Sequence, residues 1–206
     1  MVCIGFMTDT RDRILIAGRE LIMSRGYNGF SYADIVDLLK IGKATVHHHF
    51  PAKADLARAV VGQSRAAIAD RAALLRREQP DPVEQLEGYA GYWERCINDG
   101  SAPFCVAAML AAELPSLPPE LAADVTAHFN ELASWLEHLL HLGAVAGDLE
   151  LRSAPRVEAD SFMATVYGAM LAARAHTDPG LFAAITQHAF EGLLTKRRTR
   201  PGKGRP

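Results

Sequence analysis

KATVHHHFPAKADL, residues 43–56, sets three histidines directly before Phe50-Pro51, with Lys43 and Lys53 on either side. The stretch decides the fold through what stops and starts inside it. Pro51 cannot extend a helix and pushes the residue before it toward extended backbone, so it ends a short helix, KATVHHHF, and Lys53 opens the next. Upstream, Gly42 interrupts the periodicity, and Ser31 reads as the cap of another short helix, YADIVDLL. Before that, Asp9 or Thr10 can cap a helix whose Ile14, Leu15, Leu21 and Ile22 recur at helical spacing, with Gly26 as its stop.

Two short helices joined by a tight turn and carried on a third form a helix-turn-helix, whose second helix enters the major groove of DNA. In that arrangement Ile35, Leu38, Ile41 and Val46 point inward, while Lys43, Ala44, Thr45, His47 and His48 face outward. Ala44 and Thr45 are short enough to let the helix backbone approach base edges, and Thr45 can read a thymine or a phosphate. A metal reading of the histidines fails on geometry. Neighbouring helical residues point about 100° apart, and the i, i+4 pairing used by metal-binding helices is absent. No carboxylate lies at helical spacing to make any of the three a catalytic base. His49 is expected to close the small core beside Phe50. No metal, cofactor or catalytic residue is implied.

Net charge is −2 over 206 residues, but its distribution is uneven: residues 1–60 hold 8 Lys/Arg against 6 Asp/Glu, residues 61–195 hold 8 against 18, and residues 196–206 hold 6 against none. Only the head, helped by the tail, is suited to approach a polyanion. Apolar residues make up 49% of the chain, enough to bury a core. Cys3, Cys96 and Cys105 are too few and too unevenly spaced for a disulfide framework, which points to a reducing cytoplasm. MVCIGFMTDT lacks the basic and apolar regions of an export signal, and no run approaches the roughly 18 apolar residues of a membrane span, so a soluble, unexported protein without membrane contact is expected.

Periodicity is helical nearly everywhere, which predicts an all-α fold of about nine helices. The fourth helix should continue to about residue 79. Beyond Pro80 the helices are acidic and rich in alanine and leucine, and are placed at 82–99, 104–114, 119–142, 155–176 and 179–195. The expected organisation is a head over residues 9–56, a helical body over 57–195 and a disordered basic tail over 196–206. Tyr89, Trp93 and Cys96 form a stripe on one helix face, a pattern that by itself describes a core. His138 and His141 lack a third ligand nearby and read as a solvated face.

The segment Ile14–Val60 resembles the DNA-binding head of the TetR family of one-component transcriptional regulators. The match runs through Gly26-Tyr27, a capped Asp34-Ile35, and Lys43-x-Thr45-x-x-His48-x-Phe50-Pro51-x-Lys53-x-x-Leu56. The resemblance implies a repressor that binds double-stranded operator DNA as a homodimer, pairs subunits through its two C-terminal helices and releases DNA when a small-molecule effector binds the body. It further implies that Ser31 caps the second helix and Tyr32 contacts a phosphate. Lys43, Ala44 and Thr45 would meet base edges, His47 and His48 backbone or bases, and Lys53 a phosphate. Three positions depart from the family pattern: His47 replaces the usual tyrosine, Lys40 the usual glycine of the turn, and Gly42 the usual serine or threonine cap.

The segment Gly100–Leu121 resembles a subgroup with a cysteine early in the sixth helix and a Glu-Leu pair closing it. That subgroup includes repressors responsive to electrophiles such as N-ethylmaleimide and quinones, and others sensing small acids. Cys105 takes the matching place and is expected in a first helical turn, where the helix dipole favours the thiolate; a buried apolar filler is the plain alternative. Effector-site residues implied by the family arrangement are Tyr89, Trp93, Cys105, Met109, Phe129 and Tyr167. Two rival readings are a small helical enzyme, for which no nucleophile with base and orienter is visible, and a DNA-binding regulator controlled by a protein partner.

Overall fold

A computed structural model describes residues 9–102 and 104–196. Among them the chain is all-α, with nine α-helices: α1 (Thr10–Arg25), α2 (Tyr32–Leu39), α3 (Lys43–His49), α4 (Lys53–Glu78), α5 (Pro82–Asn98), α6 (Val106–Ala111), α7 (Pro119–Val145), α8 (Pro155–His176) and α9 (Gly180–Glu191). A 3-10 turn, Leu114–Ser116, follows α6. The basic stretch 197–206 and Cys3 lie outside the described residues. No helix described is long and apolar enough to cross a membrane.

Local chemistry sets the ends. Ser31 and Asp34 form a reciprocal capping box at α2, with Ala33 N–H donating to Ser31 Oγ at 3.3 Å and Ser31 N–H to Asp34 Oδ2 at 2.7 Å. Asp9 occupies the cap position of α1, yet its carboxylate makes no capping bond. Asp81 caps α5 through Val83 N–H at 2.8 Å, and Pro82 takes the first-turn site where no N–H is needed. Two expected helices are shorter than their periodicity suggested. Pro115 lies in the 3-10 turn that replaces the end of the 104–114 helix. The 179–195 helix stops at Glu191, and the chain then pairs antiparallel at Leu149–Leu194, where Glu150 N–H donates to Leu193 O at 2.8 Å.

The chain forms two compact units, one from residues up to 66 together with 105–128, the other from 67–104 together with 129 onward; the division falls inside α4 and α7. In the first unit Ile14, Ile22, Ile35, Val46 and Leu56 are each 0% exposed, so α1 to α4 share one small core. Leu38 departs from expectation: it is 54% exposed, and Leu39 takes the half-buried position on α2. In the second unit Leu86, Leu136, Val166, Met170 and Phe182 are fully buried. Gly88 permits a close approach there, since a Cβ would come within 2.6 Å of Leu75 Cδ2.

Candidate nucleic-acid interface and ligand seam

Helix α3 is held from one side only. Val46 is completely buried, and Phe50 N–H closes the helix end on Val46 O at 2.9 Å. The opposite face presents Lys43, Ala44, His47 and His48 fully exposed and Thr45 half-exposed. His47 is oriented before any ligand arrives: its Nδ1 lies 3.2 Å from Pro51 O and its ring meets Tyr32 edge-on at 4.9 Å. A carbonyl only accepts, so this contact places the hydrogen on Nδ1 and leaves Nε2 outward. His48 packs against His49 at 5.3 Å, and His49 is half-buried. The turn before α3 carries Lys40 in left-handed backbone at φ 55°, and Gly42 caps α3 without a side-chain bond.

Two residues expected to contact phosphate make bonds within the head. Tyr32 is buried, and its hydroxyl donates to Phe50 O at 2.8 Å; burial, with Asp55 and Tyr27 nearby, pushes the phenol up to about 12. Its proton is therefore committed inside the head. Lys53 donates to Tyr27 O at 2.8 Å and Phe30 O at 3.0 Å, and its ammonium lies over both aromatic rings, at 4.3 and 5.0 Å. Burial lowers its pKa, while the Glu113 and Asp34 carboxylates oppose the fall by favouring the charged form. The lysine satisfies two loop carbonyls that no helix pairs, with two of its three N–H groups. Ser31 serves as the expected cap, its hydroxyl also donating to Asp34 Oδ2 at 3.0 Å.

The residue that sequence reasoning missed in this unit is Glu113, just past α6. One carboxylate oxygen accepts Tyr27 N–H at 2.7 Å; the other accepts Asn28 N–H at 3.0 Å and Asn28 Nδ2 at 2.9 Å. Gly26, at φ 75°, makes room, because a Cβ there would collide with that carboxylate. Ser116 adds a bond to Asn28 Nδ2 at 2.9 Å. The segment after α6 thereby grips the loop between α1 and α2. At the other end of α6, Cys105 is the N-cap residue, one position before the expected first turn, and is 0% exposed. Its Sγ lies 3.8 Å from Nε2 of His128, itself 2% exposed. Met109, half-buried, belongs to the same unit.

The second unit holds the remaining effector-site candidates. Tyr89 and Trp93 are buried on α5, with Cys96 one turn further on. Phe129 and Tyr167 meet edge-on at 5.4 Å. Sequence reasoning missed Gln85 and Trp135. Gln85 stands one turn before Tyr89 on the same stripe and is 4% exposed; Trp135 of α7 packs edge-on against Tyr89 at 5.6 Å. The i, i+4, i+8 spacing of Gln85, Tyr89 and Trp93 was a legible signal for the first.

Comparison with known proteins places this architecture. The family described as "Bacterial regulatory proteins, tetR family" matches residues 14–60, and "Tetracyclin repressor-like, C-terminal domain" matches residues 82–189. The HTH-type transcriptional repressor NemR of Escherichia coli K12 is 22% identical over 170 residues, 81% of this chain and 84% of that protein. The HTH-type transcriptional repressor DhaR of Mycobacterium sp. strain GP1 is 22% identical over 189 residues, 91% and 93% of the two chains. A solved TetR-family transcriptional regulator from Agrobacterium tumefaciens is 47% identical, covers 90% of this chain and 97% of its own, and superposes with a TM-score of 0.87. With both halves matched, this chain belongs to the TetR family of bacterial transcriptional regulators.

Proposed function

We propose that this regulator is a repressor that binds double-stranded operator DNA as a homodimer and leaves it when a small molecule occupies its body. Residues 9–56 are the DNA-binding domain, and residues 57–195 bind the effector and dimerise. The observation that carries the reading is the one-sided α3: its inner face is locked by Val46, while Lys43, Ala44, Thr45, His47 and His48 remain outward. Lys43 and the histidines suit phosphate and base acceptors, and the small Ala44 and Thr45 admit close approach. Subunits pair through α8 and α9, where Val157 and Leu171 are 53% and 59% exposed and suit coverage by a partner. Pairing sets the two recognition helices for half-sites about 34–36 Å apart, and effector binding favours a dimer misspaced for them.

The test is fluorescence-anisotropy titration against DNA from upstream of the regulator's own gene, repeated for Lys43→Ala and His48→Ala. Salt-sensitive binding that both substitutions weaken supports the reading; failure to bind any genomic fragment overturns it. A second reading rests on the buried Cys105–His128 pair: an imidazole beside the thiol can take its proton and leave a thiolate for an electrophile. N-ethylmaleimide that releases DNA from the wild type but not from Cys105→Ser supports it, whereas equal binding with and without the reagent returns Cys105 to the core.

A further inference from the structure

Three polar atoms along one seam of the second unit are buried without a hydrogen-bond partner: Gln85 Oε1, Trp93 Nε1 and Trp135 Nε1. Gln85 and Trp93 flank Tyr89 one helical turn to either side on α5, and Trp135 packs on Tyr89 from α7, so the three lie within about 12 Å along the helix axis. A buried polar group left unpaired costs about 1–3 kcal/mol, and native interiors hold few of them. Three along one aromatic seam form a pattern that a ligand would complete.

We infer that the α5–α7 seam is the effector site and that its ligand is an uncharged aromatic bearing both a carbonyl and a hydroxyl. The inference rests on the regulator reading and specifies the chemistry of its effector. Each unpaired atom dictates one part of that ligand. Two indole N–H groups need an acceptor, which a carbonyl oxygen with two lone pairs supplies; Gln85 Oε1 needs a donor, which a hydroxyl supplies. The rings of Tyr89, Trp93 and Trp135 suit a flat partner. Charge is disfavoured by most of what surrounds the seam: the only fully buried polar residues described in this unit are Gln85 and Thr186, and the Thr186 hydroxyl is spent on Phe182 O at 2.8 Å. Between Gln85, Trp93 and Trp135 an ionised ligand would be buried without a counter-ion. One cation borders the seam: Arg71 of α4 lies over the Tyr92 ring at 5.6 Å, half-exposed but with its Nε buried and without a hydrogen-bond partner, and a benzoate probe tests whether it receives a carboxylate.

The chain has two tryptophans, and both are in the seam, so intrinsic fluorescence reports this site alone. The full-length protein is titrated with 4-hydroxybenzamide, with its ionised counterpart 4-hydroxybenzoate, and with p-cresol, which lacks the carbonyl. The amide is expected to shift tryptophan emission and to bind about tenfold tighter than either other probe, the worth of one buried hydrogen bond. Gln85→Leu removes one unpaired atom while keeping bulk, and Trp135→Phe removes another at the cost of part of the ring. Both should weaken the amide several-fold, and Gln85→Leu should leave the melting temperature unchanged or raised, whereas a glutamine serving only the fold would lower it. A benzoate that binds tighter than the amide, absence of any emission change with the amide up to its solubility limit, or a lowered melting temperature in Gln85→Leu overturns the inference. Operator binding measured on the same samples separates the two readings: intact DNA binding with no probe response defeats the ligand assignment alone.

Discussion

Replacing Glu113 tests whether the segment after α6 holds the DNA-binding head in shape. The wild-type carboxylate accepts three N–H groups from Tyr27 and Asn28 at 2.7–3.0 Å. Hydrogen bonds to a charged acceptor contribute about 1.5–3 kcal/mol when shielded, but this group is half-exposed, so each is discounted to about 1 kcal/mol or less. Glu113→Ala should therefore cost about 2–3 kcal/mol, with Tyr27 N–H left part-buried and unpaired. Glu113→Gln is the sharper variant. Its amide keeps one acceptor and turns an NH2 toward a backbone N–H, so it should lose most of the same energy despite near-identical shape. For a chain of this size about 2 kcal/mol lowers the melting temperature by roughly 4–8 °C, followed by circular dichroism. Because the loop it holds precedes α2 and α3, operator affinity should fall along with stability. A Glu113→Gln protein within about 0.5 kcal/mol of the wild type, the scatter of ordinary surface substitutions, would refute the reasoning.

Lys40→Gly should raise stability by about 1 kcal/mol in urea unfolding, because lysine holds a left-handed φ of 55° that glycine adopts without strain. Lys53→Met should lower it by about 2 kcal/mol, since the stem still packs but the Tyr27 and Phe30 carbonyls lose their donor; weakened DNA binding at unchanged stability would instead restore the phosphate role. Asp34 gives a pH signature. Hydrogen bonds from Ser31, then Arg25, hold its carboxyl below 3.8, so its stabilisation is present above that value and is lost as pH falls through the depressed pKa. Asp34→Asn should accordingly melt lower than the wild type at neutral pH, with the gap closing in acid.

The head was largely legible because its signals are local: a cap at Ser31, breaks at Gly42 and Pro51, and helical spacing between them. Leu38 shows where periodicity runs out. On an eight-residue helix the i+3 and i+4 positions from Ile35 compete for one inward slot, and only packing selected Leu39. Lys53 and Tyr32 show the reverse: each carries a group that suits phosphate, and only the fold reveals carbonyls of residues 27, 30 and 50 within reach. Glu113 was invisible because its partners are 85 and 86 residues away. Trp135 likewise acquires meaning only when α7 meets α5 at Tyr89.

Charge in the head explains how release could be sharp. Of the eight Lys/Arg in residues 1–60, Arg25 pairs with Asp34 and Arg58 with Asp124. Lys53 and Arg13 donate to backbone carbonyls, and Arg11 lies over Phe50. Arg19, Lys40 and Lys43 are exposed and make none of these contacts, two of them flanking the start of α3. Each phosphate neutralised contributes about 0.9 to the salt slope, so one head resting on these three cations would show a slope of only about −3. Residues 61–195, with 8 basic against 18 acidic side chains, add repulsion rather than attraction. On the proposed reading, and leaving aside the six basic residues of 196–206, a single head would hold DNA weakly and largely through α3, and strong binding would require both half-sites at once. On the same reading an effector would have little nonspecific attraction to overcome: shifting the spacing so that one α3 left its groove would remove half the contacts and return the protein to that weak background.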